Sequence, residues 1–169
     1  MAVAVWSAWV TRPTTRDVLR LASVLSMRQR FDESLAVIEP YIEAGSEAPA
    51  LLLDQAGWVR YQRGEIDAAR RLYERALDGD LAPARETQVR TRLAWAYEKL
   101  GLLVEAEREH DLAASSADAN AGTFYERGVF LLRRSRREEA VRDLLGALEL
   151  DPGYSSPREV LRELGVDPR

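Results

Sequence analysis

Apolar side chains recur every three or four residues in short blocks broken by turn residues, as in Leu93 and Tyr97 before Gly101 and Leu103 and Ala106 after it. That period puts the apolar positions of each block on one face of a helix, so each block pair reads as two helices around a turn. Four quartets of mostly small residues share the internal spacing 12, 4 and 3: Ala22/Ser34/Ile38/Tyr41, Gly57/Ala69/Tyr73/Ala76, Ala94/Ala106/His110/Ala113 and Gly128/Ala140/Leu144/Ala147. Their starts lie 35, 37 and 34 residues apart. An interval of this size marks stacked supersecondary units, and here each unit is a helical hairpin. The expected fold class is therefore all-α.

On these residues the chain resembles the tetratricopeptide repeat family, whose unit of about 34 residues has small residues where paired helices touch and a Pro near its end. The unit at 121–154 fits best, with Phe124, Gly128, Ala140, Ala147 and the closing Leu150-Asp151-Pro152 in place. The units at 50–83 and 87–120 follow it, and the unit at 15–48 is weakest, with Ser34 and Tyr41 where the family prefers Ala. The resemblance implies a right-handed α-α superhelix, a solenoid of about four hairpins. Residues 155–169 add a C-terminal capping helix and tail, because the last hairpin of a stack otherwise leaves an apolar face in water. Residues 1–14 form an apolar segment, either docked or flexible.

The capping chemistry agrees with this register. Asp32, Asp67 and Ser135 stand where a side-chain oxygen would cap each second helix, Ser135 with Glu138 as an S-x-x-E box. Gly64 and Gly101 stand where first helices end. Ser156-Pro157-Arg158-Glu159 reads as the start of the closing helix. Pro40 should kink or weaken the second helix of the first unit. Extra residues near Asp78 to Pro83 predict a long helix from Pro83 to Leu100.

Composition then narrows the chemistry. The 169 residues include no Cys and a single His, which rules out disulfides, thiolate metal clusters and thiol nucleophiles. His110 falls at the core-facing quartet place, so it is expected to pack, and no metal or cofactor is expected. No G-x-S-x-G or Gly-rich phosphate loop is present, so the expectation is a non-enzyme with no catalytic residues. The formal net charge of -4 lacks the basic excess of a nucleic-acid binder. The basic residues are 23 Arg and Lys99 alone, a ratio that fits a GC-rich bacterial genome. No window reaches the length of a membrane span, and the apolar start lacks the basic residues of a signal peptide. A cytoplasmic protein is expected.

In the resembled family the first helices line a concave groove. The residue after each small contact is turned about 100° toward that groove, which selects Ser23, Trp58, Trp95 and Val129. One turn to either side lie Arg20, Gln55, Arg92 and Glu126, then Met27, Tyr61, Lys99 and Arg133. The expected partner-binding residues are Arg16, Arg20, Met27, Gln55, Trp58, Tyr61, Arg92, Trp95, Lys99, Tyr125 and Arg133, with the two Trp at the centre about 10 Å apart, the usual interhelical spacing. Their composition suits a protein or peptide partner with apolar anchors, acidic in character because of the cations at the rim. The family's carboxylate clamp of Lys, Asn, Asn, Lys and Arg falls on Leu19, Ser23, Gln55, Gln88 and Arg92, or one unit later on Asp54, Trp58, Arg92, Gly122 and Glu126. Across the two frames only Arg92 matches, at the Arg place of the first.

The function expected is a scaffold or adaptor that holds a protein segment. Two alternatives stay open: a homo-oligomerising module built on the first unit and the apolar N-terminus, and nucleic-acid or anion binding through the arginines of the turn at 133–137.

Overall fold

The computed structural model describes residues 13–43 and 48–167. The apolar segment at 1–14, with Trp6 and Trp9, lies almost wholly outside them. Among the described residues there are nine helices and no strand: α1 (Thr15–Met27), α2 (Phe31–Ile42), α3 (Ala50–Gln62), α4 (Ile66–Leu77), α5 (Pro83–Leu100), α6 (Leu103–Ala114), α7 (Ala121–Arg133), α8 (Arg137–Leu150) and α9 (Ser155–Glu163). Consecutive helices pair as four hairpins, and α9 closes the stack on α8 with Leu161 fully buried. The odd-numbered helices also touch one another, α1 with α3, α3 with α5 and α5 with α7. They form one continuous face.

In the second and fourth hairpins a small residue of the first helix receives a larger residue of the second. Gly57 lies under the ring of Tyr73, where a Cβ would come within 2.7 Å of the ring. Gly128 receives Leu144, whose Cγ would stand 3.2 Å from such an atom. In the first hairpin Ser34 replaces the usual Ala and is fully buried, and its hydroxyl donates 2.8 Å to the Ala22 carbonyl. That bond satisfies a polar group which would otherwise be costly to bury.

The turns correct part of the capping scheme. Gln29, Gly64, Gly101 and Ser135 all have positive φ, between 58° and 79°. After each of them the next N–H reaches back 2.9 Å to a carbonyl of the preceding helix, from Arg30 to Leu25, Glu65 to Arg60, Leu102 to Tyr97 and Arg136 to Leu131. This back-bonding satisfies helix-end carbonyls that have no partner within the helix. Ser135 is therefore the left-handed residue of its turn and caps nothing. Asp32 and Asp67 lie inside the first turns of α2 and α4, neither of which has a side-chain cap; they oppose the helix dipole by charge alone. α9 likewise starts without a side-chain cap. Side-chain capping boxes occur instead on first helices, at Thr14 with Asp17 and Asn120 with Thr123. Pro40 sits in the last turn of α2, which runs on to Ile42.

Non-glycine residues in the left-handed region are strained by roughly 1–2 kcal/mol. Ser135→Gly and Gln29→Gly should each stabilise the chain by about 1 kcal/mol, a rise in melting temperature of roughly 2–4 °C for this size. Gly64→Ala and Gly101→Ala should shift it downward by a similar amount. Gly57→Ala should cost roughly 1–3 kcal/mol because Tyr73 is enclosed and cannot retreat. Urea unfolding of the five variants measures these differences, and no gain at Ser135 would contradict the turn assignment.

Candidate partner-binding groove

The close approach of α3 to α4 and α5 to α6 fixes where the next side chain on each first helix points. Trp58 follows Gly57 and Trp95 follows Ala94, and both indoles emerge half-buried on the face shared by α3, α5 and α7. Their centroids are 6.4 Å apart with planes tilted by 52°, and Tyr61 completes a triangle, 6.1 Å from Trp58 and 6.4 Å from Trp95. The rings are closer than the expected helix spacing of about 10 Å because the side chains lean toward one another across the helix gap. Aromatic pairs at such distances attract each other beyond their area burial.

Two open cavities share this wall. One, about 550 Å³, is lined by the three rings with Glu98, Lys99, Glu126 and Arg133. The other, about 380 Å³, lies toward the N-terminal ends of α5 and α7, and Trp58, Trp95 and Glu126 line it as well. Arg92 is also in its lining, with the guanidinium 5.1 Å from the centroid of Trp58.

Arg92 donates 2.5 Å to Asp54, whose side chain is only 3% exposed, and Arg85 approaches the other carboxylate oxygen at 3.4 Å. Arg92 thus neutralises a buried charge of its own chain. Arg133 donates 2.7 Å to Glu98, and the second Glu98 oxygen lies 3.0 Å from Nε2 of His110. His110 packs as expected, 2% exposed and 4.9 Å from the ring of Phe130, while linking the core to the groove carboxylate. Trp95 donates its indole N–H to Glu126 at 3.0 Å.

The two carboxylates of the larger cavity are driven in opposite directions. Burial raises the pKa of Glu98, but hydrogen bonds and charge from His110 and Arg133 outweigh it, leaving the group below its ordinary value. Burial also acts on Glu126, where the indole donor is too weak to offset it, and its pKa is raised. The balance between desolvation and ionic partners decides each case.

Of the other expected groove residues, Lys99 stands exposed at the cavity edge. Gln55 ties α3 to α1, accepting from Ser23 and donating 2.9 Å to Ser26. Arg16 and Arg20 are exposed on α1 and line neither cavity, and Met27 is 85% exposed. Tyr125 packs on Tyr154 at 5.4 Å, away from the tryptophans. In the arginine turn, Arg136 pairs with Glu107 and Glu139, and Arg137 donates to the Leu164 carbonyl. Asp143 binds Arg127 and takes no part in this turn. Glu109 is largely covered and bonded to Arg90. Glu126 is not among the expected partner-binding residues, although it shares the register place of Arg20, Gln55 and Arg92.

No protein-family profile and no curated protein sequence matches the chain. Solved structures do. The first TPR of Spaghetti (RPAP3) bound to the HSP90 peptide SRMEEVD shares 27% identity and superposes with a TM-score of 0.62, over 70% of this chain and 92% of that one. The chain has the tetratricopeptide-repeat fold. MamA gives a TM-score of 0.69 at 17% identity over 81% of this chain and 78% of MamA. Cut9–Hcn1 of the APC/C gives 0.76 at 16% identity over 87% of this chain, which spans 29% of that structure's chain. Among the described residues of this tetratricopeptide-repeat solenoid, no helix is long and apolar enough to cross a membrane, and no group of three or more His, Asp or Glu is placed to hold a metal ion.

Removing one partner of a buried ion pair typically costs 3–5 kcal/mol. Arg92→Ala should therefore destabilise the fold by about 3 kcal/mol, with Arg85 too distant to replace it. Asp54→Ala/Arg92→Ala should recover part of that loss. A single-variant cost below about 1 kcal/mol in urea unfolding, the level of an exposed pair, would show that Asp54 does not depend on Arg92. A second expectation follows from Glu98. A carboxylate with a depressed folded pKa contributes stability that is present above its unfolded value and lost as pH falls through the folded one. Stability should thus decline on acidification below about pH 4.5, the ordinary range for Glu, and Glu98→Gln should flatten that decline.

Proposed function

We propose that the chain is a non-enzymatic interaction scaffold that receives a protein segment along the face of α3, α5 and α7. The observation that carries this reading is the convergence of Trp58, Tyr61 and Trp95, from two adjacent hairpins, on one open wall. Large rings with a polar tip make most of the binding energy in protein interfaces when they sit centrally, and ring area left half-exposed in a folded chain is available to a partner. The peptide held by the first TPR of Spaghetti (RPAP3) supports a segment as the ligand. An extended segment rises about 3.3 Å per residue, so side chains two residues apart on one ligand reach both cavities. Lys99 stands exposed at the cavity edge, and Arg16 and Arg20 are exposed on the neighbouring α1, which favours acidic residues in the parts of the segment that flank the aromatic centre. The arginine turn carries no separate reading, because three of its four guanidiniums are bonded within the chain.

Selection from a displayed library of random dodecapeptides, followed by calorimetry, tests the reading. Trp58→Ala and Trp95→Ala should each weaken the selected ligands by about 2 kcal/mol, or roughly 30-fold, with the melting temperature moved by no more than a few degrees. Selected peptides that bind both variants as tightly as the natural chain would place the interaction surface elsewhere. Unfolding of either variant would assign its ring to the core.

A further inference from the structure

With one exception among the described residues, arginine supplies the counter-charge where a carboxylate is taken out of water. Asp54 has Arg92, Glu98 has Arg133, Glu109 has Arg90 and Asp143 has Arg127. The same holds for every buried or half-buried Asp and Glu among the described residues except one. The exception is Glu126, on which no Arg, Lys or His nitrogen of the described residues closes an ion pair; its hydrogen bond comes from the neutral indole of Trp95.

Twice the chain seats a guanidinium between an aromatic face and such a carboxylate. Arg92 lies 5.1 Å from the Trp58 centroid and bonds Asp54. Arg127 lies 5.9 Å from the Phe124 centroid and bonds Asp143 at 2.7 and 2.8 Å. Glu126 has the aromatic faces and the open volume, since Tyr61 and Trp95 share its cavity of about 550 Å³. It lacks the cation.

We propose that the groove centre is a receptor for an arginine side chain of the partner segment, its guanidinium lying against Trp95 and Tyr61 and donating to the free oxygen of Glu126. This rests on the groove reading above and specifies its central contact. A planar, weakly hydrated guanidinium stacks on aromatic rings and tolerates partial burial better than an ammonium. Glu126 accepts the indole N–H through Oε2, so Oε1 is the oxygen left for the ligand. Burial raises the pKa of Glu126, and no ion pair closes on it to reverse that direction. Lys99 and Arg133 also line the cavity, where Glu98 holds Arg133, and the charge of Arg133 acts on Glu126 without closing an ion pair with it.

The test uses capped pentapeptides with a central Arg, Lys, norleucine or Glu between alanines, titrated into the full 15N-labelled chain while the indole N–H signals are followed. The Arg peptide should shift the Trp95 signal saturably and bind at least fivefold more tightly than the norleucine and Glu peptides, with Lys between. Glu126→Gln, which keeps the shape and can still accept from Trp95, should lose that fivefold preference. Tyr61→Leu should lose part of it. Glu107→Gln, outside both cavities and folded by its amide spectrum, should keep it. Equal binding of the Arg and norleucine peptides, or an unchanged preference in Glu126→Gln, would overturn the proposal. If that happens while the Trp58 and Trp95 substitutions still weaken library-selected peptides, the groove stands and the arginine seat alone falls. If those substitutions also have no effect, both fall.

Discussion

The close contact of one helix with the next through residues that have almost no side chain is the constraint from which the rest of this molecule follows. Gly57 under Tyr73 and Gly128 under Leu144 let the axes of a hairpin approach until a ring or an isobutyl group fills the gap. With that distance set, the helix has no rotational freedom left. The residue after the contact must face outward, and the residue four further on must lie one turn along the same seam. Trp58 and Trp95 reach the shared face for this reason, and so does the position of Glu98 above His110. A single methyl group at residue 57 would disturb the seam and, through it, the direction of the indole beside it.

Much of this geometry was legible as intervals in the sequence. The spacing of small residues gave the hairpins, and the two tryptophans one place beyond them pointed to the groove. The left-handed turns were half legible: Gly64 and Gly101 announce themselves, whereas Gln29 and Ser135 carry no compositional mark, since only glycine is at ease with positive φ. Their spacing of 35, 37 and 34 residues repeats that of the quartets, so the register held the information that residue type concealed. Ser135 misled because a serine before Glu138 has the composition of a capping box, while the backbone bonds of the turn already meet the demand a cap would serve.

Charge pairing was the illegible part. Arg92 and Asp54 are 38 residues apart, and which of 23 arginines reaches which carboxylate depends on rotamers set by the stack. The sequence suggested a rim of free cations, whereas Arg92 and Arg133 are spent inside the chain. An acidic protein rich in arginine can thus present little free positive charge at its centre. Its basic side chains act as internal counter-ions that make half-buried carboxylates tolerable, and the groove's electrostatic character comes from whichever acid is left without one.

The Trp95–Glu126 hydrogen bond also has a mechanical meaning. It forms a partition with one cavity on each side, and neither chamber has that wall to itself. A side chain pressing on the indole from one chamber alters the width of the other. Groups that share a packed boundary do not contribute independently, so two neighbouring residues of a bound segment are read as a pair, and a poor fit at one degrades the welcome given to the other.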